Sequence, residues 1–280
     1  MGQFQFLNGV VGNNLSIMKY LPSEDEDVDE KNLELFFSTM VDRQNIWVNR
    51  NILKLPREKW TDDKFFKNHK FTNVYRELDR SSQYIINNIF CDLDLSVENI
   101  VFRTFLYRFF NQPDTFTNQK FSVSLQSYDT FDSQLLWDEV REYRRTQGNP
   151  WHTAYMMNVV GIARLPQDWN ESVDGKFKDY VYTVLVGESI HKEIPTILKS
   201  KTVEELIKNL EKIKGVSGFM SHELFLDLIL IGKYWKKKVI EWDENDYTNV
   251  GPGASLGIRL IFPSMRPEYQ KDAIYYLRIS

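Results

Sequence analysis

The residues with the clearest chemical potential lie in the segment Phe71–Arg80, which reads FTNVYRELDR. Apolar residues recur at helical spacing over residues 74–89, which predicts an amphipathic helix with one side facing a core. Arg76, Asp79 and Arg80 then share another face, because residues three and four apart are neighbours on a helix. Arginines bind anionic oxygens through a planar fork, and a carboxylate among them can move a proton. This concentration of polar groups indicates a site.

A glycine turn near the end of the sequence is a second candidate. Val250-Gly251-Pro252-Gly253-Ala254 precedes an apolar segment of helical character. Glycines at a helix start leave backbone N–H groups open to an anion, and such a start can hold a DNA phosphate without reading sequence. Glycines that only end one helix and start the next explain the same pattern. Both interpretations stay open at this point.

Metal, nucleotide and thiol chemistry are disfavoured. The four histidines are scattered, and the single cysteine, Cys91, gives no zinc-ligand spacing. The sequence contains neither a Gly-x-x-x-x-Gly-Lys-Ser/Thr phosphate loop nor a dinucleotide fingerprint. We therefore expect no metal and no cofactor. The remaining candidates for acid or base catalysis are carboxylates, among them Asp227 and Asp272, and Asp79 is favoured because arginines surround it.

The composition is that of a soluble globular protein, with 280 residues, 42% hydrophobic and 26% charged, and a net charge of −4. No apolar run could span a bilayer, and the start of the sequence lacks the features of a signal peptide. We expect a cytoplasmic protein with no membrane partner. The net charge does not predict nucleic-acid binding, but local clusters of arginine and lysine set the potential at a surface.

The periodicity predicts a mainly α chain. Residues 31–48 form the first predicted helix, and its buried stripe contains Leu33, Phe36, Phe37 and Met40. We expect an N-terminal segment and acidic linker over residues 1–30 and a helical domain over residues 31–280. Glycine and proline interrupt the pattern near residues 166–196, which predicts a less regular insertion there.

Polar residues mark two helix starts. Ser96 stands before an apolar helical segment and is expected to cap it. Thr202 is followed three residues later by Glu205, which predicts a capping box at the start of another helix.

A set of motifs resembles the alpha-glutamyl/putrescinyl thymine pyrophosphorylase family, also described as the helical domain of 5-hydroxymethyluracil DNA kinases. The motifs occur in the expected order over residues 35–265: Arg43–Arg50, Trp60–Asp63, Phe71–Arg80, Arg103–Asn111, Gly218–Met220 with Glu223 and Asp227–Leu228, and Asn249–Ala254. The resemblance implies a helix-hairpin-helix DNA glycosylase-like helical fold. It also implies double-stranded DNA with a modified pyrimidine as the substrate, in a bacterial or phage-infected cell.

The resemblance also implies roles for individual residues. The residues expected around the base and its phosphates are Arg43, Asn45, Trp47, Asn73, Tyr75, Arg76, Arg80, Arg103 and Asn111. The residues expected to hold a DNA phosphate are Gly251, Gly253 and Ala254. Asp79 is the first candidate for the catalytic carboxylate, with Asp227 and Asp272 behind it. Asp272 follows the glycine turn at about the spacing of the glycosylase aspartate.

Three functions remain open. A transferase would join a small amine or amino acid to a flipped 5-hydroxymethyluracil-derived base and displace pyrophosphate. A DNA glycosylase of similar fold would excise the modified base, for example in defence against phage. A module that binds DNA without catalysis is the third alternative, and it is favoured by the lack of the acidic segment that follows the glycine turn in the family.

Overall fold

The computed structural model describes residues 28–91, 94–117, 127–152, 176–235, 237–243 and 245–279. Every regular element within these ranges is helical, which confirms the mainly α class. The helices are α1 (Glu30–Asn51), α2 (Lys64–Asn68), α3 (Arg80–Tyr84), α4 (Val97–Phe110), α5 (Pro113–Thr117), α6 (Ser133–Gln147), α7 (Lys176–Tyr180), α8 (Gly187–Ile197), α9 (Val203–Leu210), α10 (Gly218–Tyr234), α11 (Pro252–Ile261) and α12 (Gln270–Ile279). The more specific helix-hairpin-helix arrangement stays a prediction. None of these helices is long and apolar enough to cross a membrane.

The chain divides into two compact units. Unit 1 contains Met1–Asp79 and Thr248–Ser280, and unit 2 contains Arg80–Tyr247. The boundary falls inside the polar segment Phe71–Arg80. Most of the predicted linker over residues 1–30 lies outside the described residues.

Helix α4 forms the centre of unit 2. Ser96 caps it by accepting a hydrogen bond from the backbone N–H of Asn99 at 3.2 Å, as predicted. Ile100, Phe105 and Leu106 are completely buried, and α8 and α10 both pack on the helix. Because neighbours cover it on several sides, α4 is buried nearly all round.

The region predicted to be less regular is helical where the structure describes it. Residues 166–175 lie outside the described residues, but α7, a π-helical turn (Val181–Val186) and α8 follow one another directly. Val181, Val186 and Ile190 are completely buried in the core of unit 2. Pro195 falls in the last turn of α8, where it interrupts little of the helix. The expectation of irregular chain is therefore wrong for residues 176–196, and an insertion stays a prediction.

Helix α1 confirms the first predicted helix but not its buried stripe. Its start is fixed to α11, since the N–H of Asp29 donates to the carbonyl of Ile261 at 2.8 Å. Asn32 donates in the same region to the carbonyl of Leu260 at 2.9 Å. Farther along, Ile46 is the buried residue of α1, and Phe36 is 38% exposed. The small second core lies around α11 and α12 and covers only part of α1.

The segment after Phe71 is not one continuous helix. Arg76–Leu78 form a single 3-10 turn, and Asp79 is extended, with φ −72° and ψ 141°. Helix α3 begins only at Arg80, and a π-helical turn (Ile85–Ile89) continues it. The Leu78 carbonyl accepts hydrogen bonds from side chains instead of extending a helix. Arg76 and Arg80 therefore do not share a helical face, which corrects the prediction.

We expect Phe105→Ala to lower the free energy of unfolding by roughly 3–5 kcal/mol, because it empties a completely buried site. Urea unfolding followed by far-ultraviolet circular dichroism measures the change. Phe219→Ala is the matched control, since this phenylalanine in the same unit is 60% exposed. Equal losses for the two variants would contradict the central position of α4.

Candidate nucleic-acid site

Helix α1 holds the loop of residues 72–79, called here the 72–79 loop. The Arg43 guanidinium donates to the Thr72 carbonyl through Nε at 2.9 Å and through Nη2 at 2.6 Å. Nη2 also lies 2.9 Å from the Thr72 hydroxyl and 3.1 Å from the Asn73 carbonyl. Burial lowers the pKa of Arg43 from its usual value. Arg43 thus fixes the start of the loop.

Two further side chains fix the end of the same loop. Trp47 Nε1 donates to the Leu78 carbonyl at 3.3 Å, and Asn73 Nδ2 donates to the same oxygen at 3.0 Å. Leu78 immediately precedes the extended residue Asp79. Three of the residues predicted to line a base pocket, Arg43, Trp47 and Asn73, are therefore brought together. Their hydrogen-bond donors hold the backbone of the 72–79 loop in place.

The 72–79 loop presents other groups to solvent. Tyr75 is 58% exposed, and Asp79 is exposed directly after the 3-10 turn. Arg76 is half-buried in that turn, and Asn45 is exposed on α1. An aromatic ring and a carboxylate on a firmly held loop can stack on a flat group and accept a proton from a bound one.

The predicted site residues in unit 2 lie around a buried ion pair. Arg108 of α4 donates to Asp227 of α10 through Nε at 2.8 Å and through Nη2 at 2.6 Å. The two side chains are 1% and 0% exposed. Asp227 is therefore enclosed in the core and held in a fork, so it can influence a substrate only through its neighbours.

The ion pair continues into a polar network, called here the α4 network. Arg108 Nη1 donates to the Ser81 hydroxyl at 3.3 Å, and Ser81 donates to Asn111. The Ser81 oxygen also lies 3.3 Å from the Tyr107 hydroxyl. Burial raises the pKa of Tyr107 to about 12, so this hydroxyl stays protonated at neutral pH. Asn111 ends α4 in the left-handed conformation, with φ 49°.

Two of the predicted phosphate-binding arginines belong to this region of unit 2. Arg80 precedes Ser81 and lies 3.8 Å from Asp114, with both side chains largely exposed. Arg103 acts on Tyr84, where burial raises the pKa of the phenol and the positive charge of Arg103 opposes that rise. Tyr84 also stacks on Tyr107 at 4.8 Å between ring centroids. The structure thus places Arg80 directly before Ser81 of the α4 network and makes Asn111 a member of that network.

The predicted phosphate-binding glycines lie at the start of α11 in unit 1. Gly251 is the residue before the helix, Pro252 occupies its first position, and no side chain of the described residues caps it. The Ser255 N–H donates to the Gly251 carbonyl, which leaves the amides of Gly253 and Ala254 as the early N–H groups of the turn. A Cβ at Gly251 or Gly253 would meet no described atom within 4 Å. Packing within the described chain therefore does not require glycine at either position.

The three candidate carboxylates differ sharply in exposure. Asp79 is exposed in unit 1, Asp227 is completely buried in unit 2, and Asp272 is 8% exposed in the first turn of α12. Within the described ranges, no group of three histidine, cysteine or acidic side chains could hold a metal ion. Among the three, Asp79 is the one that a dissolved substrate can reach directly.

Sequence reasoning missed the role of Arg108, although a signal was present. Arg108 lies alone in the run FLYRFF, and Asp227 lies alone in the run FLDLIL. A single charge in a helical stretch that is otherwise apolar must be paired when that stretch is buried. Two such charges of opposite sign predict a buried ion pair, which the structure shows.

Residues 30–280 match the family described as "5-hmdU DNA kinase, helical domain". The chain belongs to this family. The family membership inferred from the motifs is thereby confirmed. The matched residues include every candidate site residue described above.

One relative of known name is similar over most of this chain. The 5-hmdU DNA kinase of Bacillus phage SP10 is 27% identical over 274 residues, which cover 92% of this chain and 42% of the relative. The chain thus spans less than half the length of that relative. No solved structure matches.

We expect Arg43→Lys to release the 72–79 loop, because an ammonium cannot reproduce the fork of hydrogen bonds to Thr72 and Asn73. Charged hydrogen bonds contribute about 1.5–3 kcal/mol each, so amide exchange in residues 72–79 should accelerate by about tenfold or more. Hydrogen–deuterium exchange with mass spectrometry measures this rate. Arg57→Lys, at an exposed position of unit 1, is the control. Unchanged protection in Arg43→Lys would show that other contacts fix the loop.

We expect Asp227→Asn to lower the free energy of unfolding by roughly 3–5 kcal/mol, because it leaves Arg108 buried without its counter-charge. The double variant Arg108→Met/Asp227→Leu should unfold closer to wild type, since it removes both charges and fills the space. Urea unfolding compares them. The control is Glu142→Gln, which breaks the exposed pair with Arg145 and should leave the urea midpoint close to that of wild type, because exposed ion pairs contribute little. A double variant as unstable as Asp227→Asn would contradict the argument.

Proposed function

We propose that this chain binds DNA and acts on a base derived from 5-hydroxymethyluracil, as the helical part of a DNA-modifying enzyme. The observation that carries the proposal is membership of the family of 5-hmdU DNA kinase helical domains over residues 30–280. The relative from Bacillus phage SP10 bears the name of an enzyme that acts on this base in DNA. Its name supplies the substrate class, and the residues of this chain suggest how the base is handled.

The 72–79 loop is our candidate for the base-binding element. An enzyme that works on a DNA base extrudes it from the duplex and stacks it against aromatic or apolar side chains. Tyr75 offers an exposed ring for such stacking, and the loop is held by Arg43, Trp47 and Asn73. A loop fixed in advance costs little additional ordering when the base binds. Asn45, exposed on α1, is the amide that we assign to the edge of the base.

Phosphate binding is assigned to backbone amides and arginines. In unit 1, the amides of Gly253 and Ala254 at the start of α11 suit a phosphate of the DNA backbone, and the helix dipole favours a negative charge there. We assign Arg76, Arg80 and Arg103 to the phosphate charge of DNA or of an activated base, since guanidinium groups bind two phosphate oxygens at once.

For the reaction, we favour replacement of pyrophosphate by an amine. The nitrogen of an amine or amino acid forms a bond to the 5-methylene carbon of the base, and the carbon–oxygen bond to pyrophosphate breaks. Asp79 accepts the proton that the amine loses, because its carboxylate is exposed directly after the held loop. Activation of the base is not assigned to these 280 residues, whose sequence contains no phosphate loop of the Walker type.

A second candidate function is DNA binding without catalysis. It is favoured by the burial of Asp227 and Asp272, because a substrate cannot reach two of the three candidate catalytic carboxylates and only Asp79 is accessible among them. Excision of the base is the other reaction that the sequence left open. Substitution of Asp79 and analysis of the DNA products separate these possibilities.

We expect the protein to convert a duplex that carries pyrophosphorylated 5-hydroxymethyluracil into DNA with an amine-substituted base. Incubation with a mixture of amines and amino acids, followed by digestion and mass spectrometry of nucleosides, measures the product. Asp79→Asn should slow the conversion by roughly 10²–10⁴-fold, the usual contribution of a general base. Asp42→Asn, an exposed carboxylate change on α1, is the matched control and should react like wild type.

Each alternative has its own outcome in this experiment. A free base together with strands that break in alkali would establish excision and overturn transfer. Tight binding of the modified duplex with no new nucleoside, and with equal affinity for wild type and Asp79→Asn, would establish the binding module. Conversion by Asp79→Asn at the wild-type rate would remove Asp79 from the chemistry.

A further inference from the structure

A short segment of unit 1 alternates cations with aromatic rings. Residues 64–71 read KFFKNHKF, with three lysines, no acidic residue, three phenylalanines and a histidine. The segment contains α2 and ends directly before the 72–79 loop. None of these residues has a role in the function proposed above.

Two of the rings form an exposed stack, called here the aromatic ledge. Phe65 and His69 lie one helical turn apart, with ring centroids at 4.4 Å and planes at 15°. Phe65 is 58% exposed, and His69 is also exposed. A large ring with more than half of its surface open to solvent leaves apolar area that a flat partner can cover.

Ring packing and hydrogen bonds within residues 63–71 hold the ledge in place. Phe66 packs its edge against Phe65 at 5.6 Å between centroids and against Phe71 at 4.9 Å. Asp63 caps α2 by accepting from the N–H groups of Phe65 at 2.6 Å and Phe66 at 3.0 Å. His69 Nδ1 lies 3.0 Å from the Phe65 carbonyl, which fixes the second ring of the stack. The orientation of the ledge is thus set before any partner binds.

Exposed lysines lie next to the ledge residues in sequence. Lys64, Lys67 and Lys70 are all exposed. Lys67 lies 3.7 Å from Asp62, whose side chain is fully open to solvent, so this contact is weak. An apolar protein surface that covered Phe65 would have to desolvate neighbouring ammonium groups, which is costly. A partner that combines flat aromatic groups with a chain of negative charges satisfies the rings and the lysines together.

We propose that the aromatic ledge stacks an unpaired base of a DNA strand, while Lys64, Lys67 and Lys70 pair with the flanking phosphates. Rings within a basic surface form the usual platform for single-stranded nucleic acid, and stacking tolerates any base because every base has a π-face. The choice of DNA as the polymer rests on the proposed function. The ledge adjoins the 72–79 loop in sequence, so it suits nucleotides that lose their pairing when a neighbouring base is extruded.

The test uses fluorescein-labelled dT12 and measures its affinity by fluorescence anisotropy at several salt concentrations. Phe65→Ala should weaken binding by about tenfold or more at every salt concentration, because stacking is worth roughly 1–3 kcal/mol per base. The salt slope should not change. Phe65→Trp should bind as tightly as wild type or more tightly. Phe65→Leu should resemble Phe65→Ala, because it keeps apolar volume and loses the π-face.

Substitution of the lysines, unlike that of Phe65, should change the salt dependence of binding. The triple variant Lys64→Gln/Lys67→Gln/Lys70→Gln should reduce the slope of log K against log salt by about 2, since each phosphate contact on a single strand contributes about 0.7. Phe36→Ala is the matched control. That phenylalanine also lies in unit 1, is 38% exposed, and packs edge-on against its neighbour Phe37 at 5.3 Å. Its affinity for dT12 should equal that of wild type.

A duplex that contains 5-hydroxymethyluracil serves as the second probe and separates this inference from the proposed function. Two outcomes would overturn the assignment of the ledge to base stacking and leave the proposed function standing. In the first, wild type binds the duplex but not dT12; in the second, Phe65→Ala binds dT12 as tightly as wild type. The predicted effects on dT12, together with no binding of the 5-hydroxymethyluracil duplex and no amine-substituted nucleoside from the pyrophosphorylated duplex, would support the ledge and overturn the proposed function. Tighter binding of the ribonucleotide U12 than of dT12 would overturn the assignment to DNA.

Discussion

The structure of unit 2 depends on one charged pair enclosed in its apolar core. Arg108 and Asp227 join α4 to α10 through two short hydrogen bonds. The desolvation of two charges is repaid only by well-aligned partners, so the pair admits little sliding of one helix along the other. The third guanidinium nitrogen reaches Ser81 and through it Asn111. The backbone on both sides of the exposed Arg80–Asp114 pair is thereby fixed to the core.

Unit 1 divides its polar residues into those that hold backbone and those that face solvent. Arg43 and Trp47 lie on α1 and direct their donors at carbonyl groups of the 72–79 loop. Their motif is therefore explained by loop geometry, whatever ligand the loop binds. Tyr75 and Asp79 are left at the surface of that loop. Residues of the same motif therefore have different roles, since some hold the backbone of the loop and others face solvent.

Local signals in the sequence predicted several elements correctly. Ser96 and Thr202 cap α4 and α9 through the backbone N–H groups of Asn99 and Glu205, because a hydroxyl three residues upstream satisfies an N–H group at a helix start. The second half of the predicted capping box differs, since the Glu205 carboxylate accepts from the N–H of Lys201, one residue before the cap. The prediction was wrong where distant contacts override local periodicity. The helix expected after Phe71 starts only at Arg80, since the Leu78 carbonyl is occupied by side chains from α1 and from the loop.

The sequence by itself determined the helical class, the family and the residue types available for phosphate and base recognition, because these follow from periodicity, motif order and side-chain chemistry. Only the tertiary structure decided which of them face solvent. Asp79 and Asp227 are both candidate catalytic carboxylates in the sequence, yet one is exposed and the other is completely buried. The lone charges in the runs FLYRFF and FLDLIL indicate that Arg108 and Asp227 need partners, but the pair joins residues more than a hundred positions apart, so only the packing of α4 on α10 brings it about.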